Sequence, residues 1–108
     1  CKSCILIRAN LAGANLSNSD LNQGISDQAD LSKANLKGAI LNWAVLRMVS
    51  LRGSDLTDGK LIKVNLRKAD LTGAILTGTF FSQQSCLAVQ QTIQAVKKVE
   101  RFTVLVRC

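Results

Sequence analysis

Leucine returns at every fifth position of this chain, at 6, 11, 16, 21, 31, 36, 41, 46, 51, 56, 61, 66, 71 and 76. Ser26 alone interrupts the column, and Phe81 closes it. Two places before each centre the residue is usually small, as with Ala9, Ala14, Ser19, Gly24, Ala29 and Ala34. A period of five fits neither a helix, at about 3.6, nor a flat strand, at about 2. It predicts a coil that turns a corner every five residues, with the leucine and its small neighbour pointing inward. Alternating large and small residues fill a narrow interior densely. Stacked coils would pair their backbones along the axis, and the absence of proline from the chain keeps every donor of such a ladder. Repetition fades after Ser82. Val89, Ile93, Val96 and Val99 then follow helical spacing, with Ser85 as the candidate N-cap. Phe102, Val104 and Val106 alternate as in a strand, a second short helix being the alternative. The tail has one apolar face and is expected to cap an open end of the coil.

Ala9-Asn10-Leu11, Ala14-Asn15-Leu16, Ala29-Asp30-Leu31, Ala34-Asn35-Leu36 and Ala69-Asp70-Leu71 match the motif A-[DN]-L-x-x. In this the chain resembles the pentapeptide-repeat family over residues 4–83. The resemblance implies an all-β solenoid, a right-handed quadrilateral β-helix with four pentads per coil. Residues 4–83 would then make about four coils, a rod of about 19 Å at ordinary strand spacing. The chain is read as one domain, 1–108, with the β-helix over 4–83 and the C-terminal helical cap over 84–108.

Four pentads per coil stack residues twenty apart, so outward columns can be read. Ile5, Ile25, Val45 and Asn65 form one column, apolar where the family prefers Asp or Asn. Asp20, Ile40, Lys60 and Phe80 form its neighbour, with Trp43 at the corner between them, Met48 just beyond, and Ile62 above Asn42. Ile25, Ile40, Trp43, Val45, Met48 and Ile62 are therefore expected to form an apolar patch around one edge, a candidate partner surface. Asn10, Asp30, Ser50 and Asp70, and Asn15, Asn35, Asp55 and Ile75, keep nearer to the family preference. Ser26 in a core column reads as a local defect or bulge, because the register survives on both sides. Gly38, Gly53, Gly73 and Gly78 share one corner position and read as turn residues.

Charge adds a direction to this picture. The chain carries 14 Lys+Arg against 7 Asp+Glu, a net +7. A basic balance favours acidic partners. Direct DNA binding through Arg47, Arg52, Lys63, Arg67 and Lys68 is disfavoured, since these bases read as distributed over several faces. A DNA-mimic interaction with a topoisomerase, which the resemblance to quinolone-resistance members would imply, is disfavoured by the basic charge and the short length.

Cys1, Cys4, Cys86 and Cys108 make an even count gathered at the two ends, compatible with two disulfides and an oxidising compartment. Three pairings are open, and nearness along the chain favours Cys1–Cys4 with Cys86–Cys108. The latter loop, of about 23 residues, would stabilise the fold by about 3 kcal/mol on chain-entropy grounds. A start at Cys1 rather than Met points to a processed product. Similarity to secreted and thylakoid-lumen members of cyanobacterial or plastid type implies the lumen or the periplasm, the cytoplasm applying if the cysteines are free.

Catalysis and cofactors find little support. No histidine is present, which removes the commonest general base and a frequent metal ligand. No phosphate-binding glycine loop and no apolar run long enough for a transmembrane span occur. The expectation is a non-enzymatic scaffold with no cofactor, metal or small-molecule substrate, presenting a rigid surface to a protein partner.

Overall fold

The computed structural model describes residues 2–81; the side chain of Phe81, the expected helix and strand of the tail, and Cys1, Cys86 and Cys108 lie outside the described residues. Each pentad is built alike. The leucine carbonyl accepts the amide three residues on, as where Ala9 N–H donates to Leu6 O at 3.0 Å. The third residue of that turn has positive φ throughout: Arg8 at 60°, Trp43 at 63° and Lys68 at 58°, with glycines such as Gly53 at 66° and Gly73 at 70° in the same place. That conformation is what a type II turn demands, and it explains why glycine gathers there. At Gly38 a Cβ would also meet the Asn18 carboxamide of the coil before, which would have to turn aside.

Successive turns bring the chain back over itself after twenty residues. Four columns of parallel bridges result. Face 1 pairs Ile5–Ile25–Val45–Asn65, and face 2 pairs Asn10–Asp30–Ser50–Asp70. Face 3 pairs Asn15–Asn35–Asp55–Ile75. Face 4 runs Asp20–Ile40–Lys60 and on to Phe80. Regular strand is scant: among the described residues only β1 (Lys60–Leu61) and β2 (Phe80–Phe81) extend beyond a single bridge. The reason is geometric. One residue per pentad lies flat along a face before the next corner takes the backbone away. Pairing nonetheless runs both ways from coil to coil: Leu6 N–H donates to Ile25 O at 2.7 Å, and Ile25 N–H donates to Cys4 O at 2.9 Å.

The core is the stack of leucines and their small partners. Leu31, Leu36, Leu51, Leu56 and Leu76 are buried together with Ala29, Ala39 and Ala74. Where a small position is Ser or Thr, the hydroxyl donates to the leucine carbonyl three residues back. Ser54 does so to Leu51 at 2.8 Å and Thr79 to Leu76 at 2.7 Å. Ser26 stands in the leucine column, buried, with its amide bonded to Val45 O at 2.8 Å. The bridges Ile5–Ile25 and Ile25–Val45 pass beside it in unbroken register. So the substitution is a change of side chain in the column, without the extra residue that defines a bulge.

Candidate functional site

The outward position before each leucine has a specific task. In the turn that follows, the first amide is left out of the coil-to-coil ladder, and an Asp or Asn supplies its acceptor. Ala12 N–H donates to Asn10 Oδ1 at 3.2 Å, Ser32 N–H to Asp30 Oδ1 at 3.0 Å, and Thr72 N–H to Asp70 Oδ1 at 3.0 Å. These are Asx turns, and they give the family preference its physical cause. Hydroxyls at the same turn position add to them, so donation from Ser32 to Asp30 and from Thr72 to Asp70 holds both carboxyls below the ordinary aspartate range. The acids of face 2 are thus engaged in turn geometry and form no acid–base pair.

Faces 1 and 4 break that rule at Ile5, Ile25, Ile40, Val45, Lys60 and Phe80, and after Ile40, Val45 and Lys60 the turn amide is still satisfied. Asn42 N–H donates to Asn22 Oδ1 at 3.1 Å, and Ile62 N–H to Asn42 Oδ1 at 2.9 Å. Arg47 N–H donates to Asp27 Oδ1 at 3.0 Å. In each case the acceptor sits one coil earlier at the same corner. The asparagine ladder Asn22–Asn42 and the single Asp27 therefore replace the Asx turn from below. That leaves the face positions open to apolar or basic side chains.

On this edge the structure brings the expected patch residues around face 1. Ile25 and Val45 are half-buried on face 1, and Ile40 is half-buried on face 4. Trp43 and Ile62 share the corner between faces 4 and 1, where Trp43 N–H donates to Ile62 O at 2.8 Å. Met48 occupies the opposite corner, between faces 1 and 2, its N–H bonded to Arg67 O at 2.9 Å. Trp43, Met48 and Ile62 are 56%, 47% and 41% exposed, so their apolar surface is turned to solvent. Two side chains extend the strip beyond the sequence-based set: Ile5, at the head of the face 1 column and 70% exposed, and Ile7 at its corner. Stacking at twenty residues was the signal for Ile5, which shares its column with Ile25 and Val45.

Charge on this edge is more concentrated than the sequence reading held. Of the five bases read as scattered, Arg47, Arg67 and Lys68 stand at one corner of face 1 and Lys63 at the other. Only Arg52 lies elsewhere. With Lys2 and Arg8 the two corners carry six bases against one acid, Asp27, while the remainder of residues 2–81 carries four bases against five acids. Lys63 Nζ sits 4.4 Å from the centroid of the Trp43 ring. Arg47 clamps Asp27, its Nε donating to Oδ2 at 3.1 Å, and that hydrogen bond holds the Asp27 carboxyl below its usual range. Among the described residues Arg8, Arg67 and Lys68 form no ion pair, whereas away from this edge Lys37 reaches Asp55 at 3.5 Å and Arg52 reaches Asp70 at 3.2 Å.

Cys4 is half-buried and disulfide-bonded, and no other cysteine falls among the described residues. Among those residues no group of three or more metal-ligating side chains converges, and no helix is long and apolar enough to cross a membrane. A shallow open depression crosses face 2 where Ser50, Gly53 and Gly73 leave room between Asp30, Met48 and Arg52.

Several solved structures are similar to this chain. Rfr23, a pentapeptide repeat protein of the cyanobacterium Cyanothece 51142, is 27% identical over 73% of this chain and 54% of its own, with a TM-score of 0.42. A pentapeptide repeat protein from the Arabidopsis thaliana thylakoid lumen is 30% identical over 67% of this chain and 53% of its own, with a TM-score of 0.36. QnrB1, a plasmid-mediated fluoroquinolone resistance protein, is 21% identical over 71% of this chain and 48% of its own, with a TM-score of 0.41. The chain spans about half the length of these structures. No curated protein matches its sequence. The family model of pentapeptide repeats matches residues 4–47 and 50–83 in eight copies. The chain belongs to the pentapeptide-repeat family.

Proposed function

We propose that this chain is a non-catalytic interaction rod that binds a protein partner through face 1 and its two corners. The observation that carries the reading is the relocated asparagine ladder. Ile40 and Val45 replace Asx residues without leaving the Asn42 and Arg47 amides unsatisfied, because Asn22 and Asp27 accept them. Replacing the turn-capping side chain at Ile40 and at Val45 in this compensated way makes adjoining parts of two faces apolar together, unlike apolar residues scattered singly. Trp43, Met48 and Ile62 supply the protruding contacts, and Ile25, Ile40 and Val45 the flatter floor. Aromatic and Met side chains of this kind are enriched at protein interfaces.

The fold proposed for the rod is a right-handed quadrilateral β-helix of about four coils, closed by residues 84–108 as a helical cap. Its ends are held by disulfides among Cys1, Cys4, Cys86 and Cys108, with Cys1–Cys4 and Cys86–Cys108 as the pairs. That pattern supports an oxidising compartment, the thylakoid lumen or the periplasm.

Trp43 lies outside the leucine column, so Trp43→Asp is expected to weaken partner capture while leaving the thermal midpoint unchanged. A variant that captures the partner as well as the parent chain would remove this face from the interaction.

A further inference from the structure

We infer that the partner surface recognised by face 1 is acidic: a protein segment with an apolar centre flanked by carboxylates. The inference rests on the reading of face 1 as a protein-binding surface and names the chemistry of what it binds. A row of apolar side chains, Ile5, Ile25 and Val45, runs along the rod with cations on both sides. Arg67 and Lys68 stand on one rim, and Lys2 and Lys63 on the other. All four are exposed beside the strip, Lys63 with its ammonium over the Trp43 ring. Among the described residues the one acid at these two corners, Asp27, is already paired with Arg47. Rim charges of this kind steer and orient a partner of opposite sign more than they add raw affinity.

Two other anionic partners fit less well. A nucleic acid would bring phosphates onto the apolar row, and among the described residues face 1 and its corners offer one aromatic ring for base stacking, that of Trp43. An anionic bilayer would accept Trp43 and the basic rims, yet Ile25 and Val45 lie half-buried between ladder neighbours and are too recessed to insert. The corner also carries carboxamides already oriented by the backbone. Asn22 and Asn42 hold Oδ1 on the turn amides, which commits each Nδ2 to a fixed direction. Directional donors of this sort suit carbonyls and carboxylates of a protein surface better than a fluid headgroup layer.

Trp43 is the only tryptophan in the chain and stands at one corner of face 1 beside Lys63, so its emission reports occupation of that rim. The full chain would be titrated with a glutamate–alanine copolypeptide. In parallel it would be titrated with a lysine–alanine copolypeptide, duplex DNA and phosphatidylglycerol–phosphatidylcholine vesicles. The acidic copolypeptide should shift the emission in a salt-sensitive way. The double substitution Arg67→Glu, Lys68→Glu should weaken that binding by about tenfold, and Lys33→Glu on another corner should leave it unchanged. Thermal midpoints of the variants establish that each is folded. Equal losses from the two sets, or tighter binding of DNA or vesicles than of the acidic copolypeptide, would overturn the proposal. A captured partner that is lost with Trp43→Asp but kept with Arg67→Glu, Lys68→Glu would retire the acidic chemistry alone and leave the protein-binding reading standing.

Discussion

An aspartate ahead of the leucine does two jobs in this protein: it accepts the turn amide, and it accepts a neighbouring hydroxyl. Both favour the ionised carboxyl, which is why Asp70, bonded by Thr72 Oγ1 and Thr72 N–H, titrates below the ordinary aspartate value despite partial burial that works the other way. Asp30 is lowered by the same pair of donors from Ser32. A carboxyl whose folded value is depressed binds fewer protons folded than unfolded. Its stabilisation is therefore fully present above the unfolded value, about 3.9, and is lost as pH falls through the lower folded value. Urea midpoints are accordingly expected to stay level down to about pH 5 and to drop below about pH 4. Asp70→Asn keeps an acceptor for the Thr72 amide, so it should flatten part of that acid limb while changing the neutral-pH midpoint little. Superimposable pH profiles for the two proteins would assign the acid sensitivity to other groups.

At the scale of the turn and the corner, much was legible before any coordinates. A strict five-residue register lets columns be counted, and counting by twenties brings Ile25, Val45, Trp43 and Ile62 to one edge, where the structure has them. What the register could not convey was compensation between coils. Asn22, Asn42 and Asp27 occupy outward turn positions that look unconstrained in sequence, and their task appears only once each is stacked beneath the turn amide it accepts. The cation on Trp43 was hidden for the same reason, since Lys63 is twenty residues away and its reach depends on the rotamer. Ser26 was legible as a departure, but that the register passes it without a bulge appears only in the backbone bridges. The ladder makes a sharp prediction. Asn42→Ala leaves the Ile62 amide without its side-chain acceptor and should cost about 1 kcal/mol, the low end for a lost hydrogen bond, because water can partly replace it at this exposed corner. Asn42→Asp retains an acceptor oxygen and should be close to the parent. Chemical denaturation of the pair checks this, and equal stabilities for Ala and Asp would deny the ladder any energetic role.

Over the whole molecule, the coils are not equivalent. Leu6, Leu11 and Leu16 of the first coil are only partly buried, whereas Leu66, Leu71 and Leu76 of the fourth are 2%, 1% and 0% exposed. Backbone pairing follows the same gradient. Ile25, Asp30 and Asn35 donate their amides to Cys4 O, Ala9 O and Ala14 O in the coil before, while Ile5, Asn10 and Asn15 find no such acceptor among the described residues. In a repeat structure each coil is stabilised mainly by its neighbours, so in a polypeptide of residues 1–108 opening should start at the coil whose leucines are least covered and spread inward. Hydrogen exchange read by mass spectrometry should therefore show residues 2–20 exchanging first and residues 41–60 last. The fourth coil, with its leucines covered, should stay close to the centre. Cys4 is disulfide-bonded in the first coil, so reduction should speed exchange there without reversing the order. Uniform protection from the first coil to the fourth would mean that the rod opens as one cooperative unit, and the coil-by-coil account of its stability would fail.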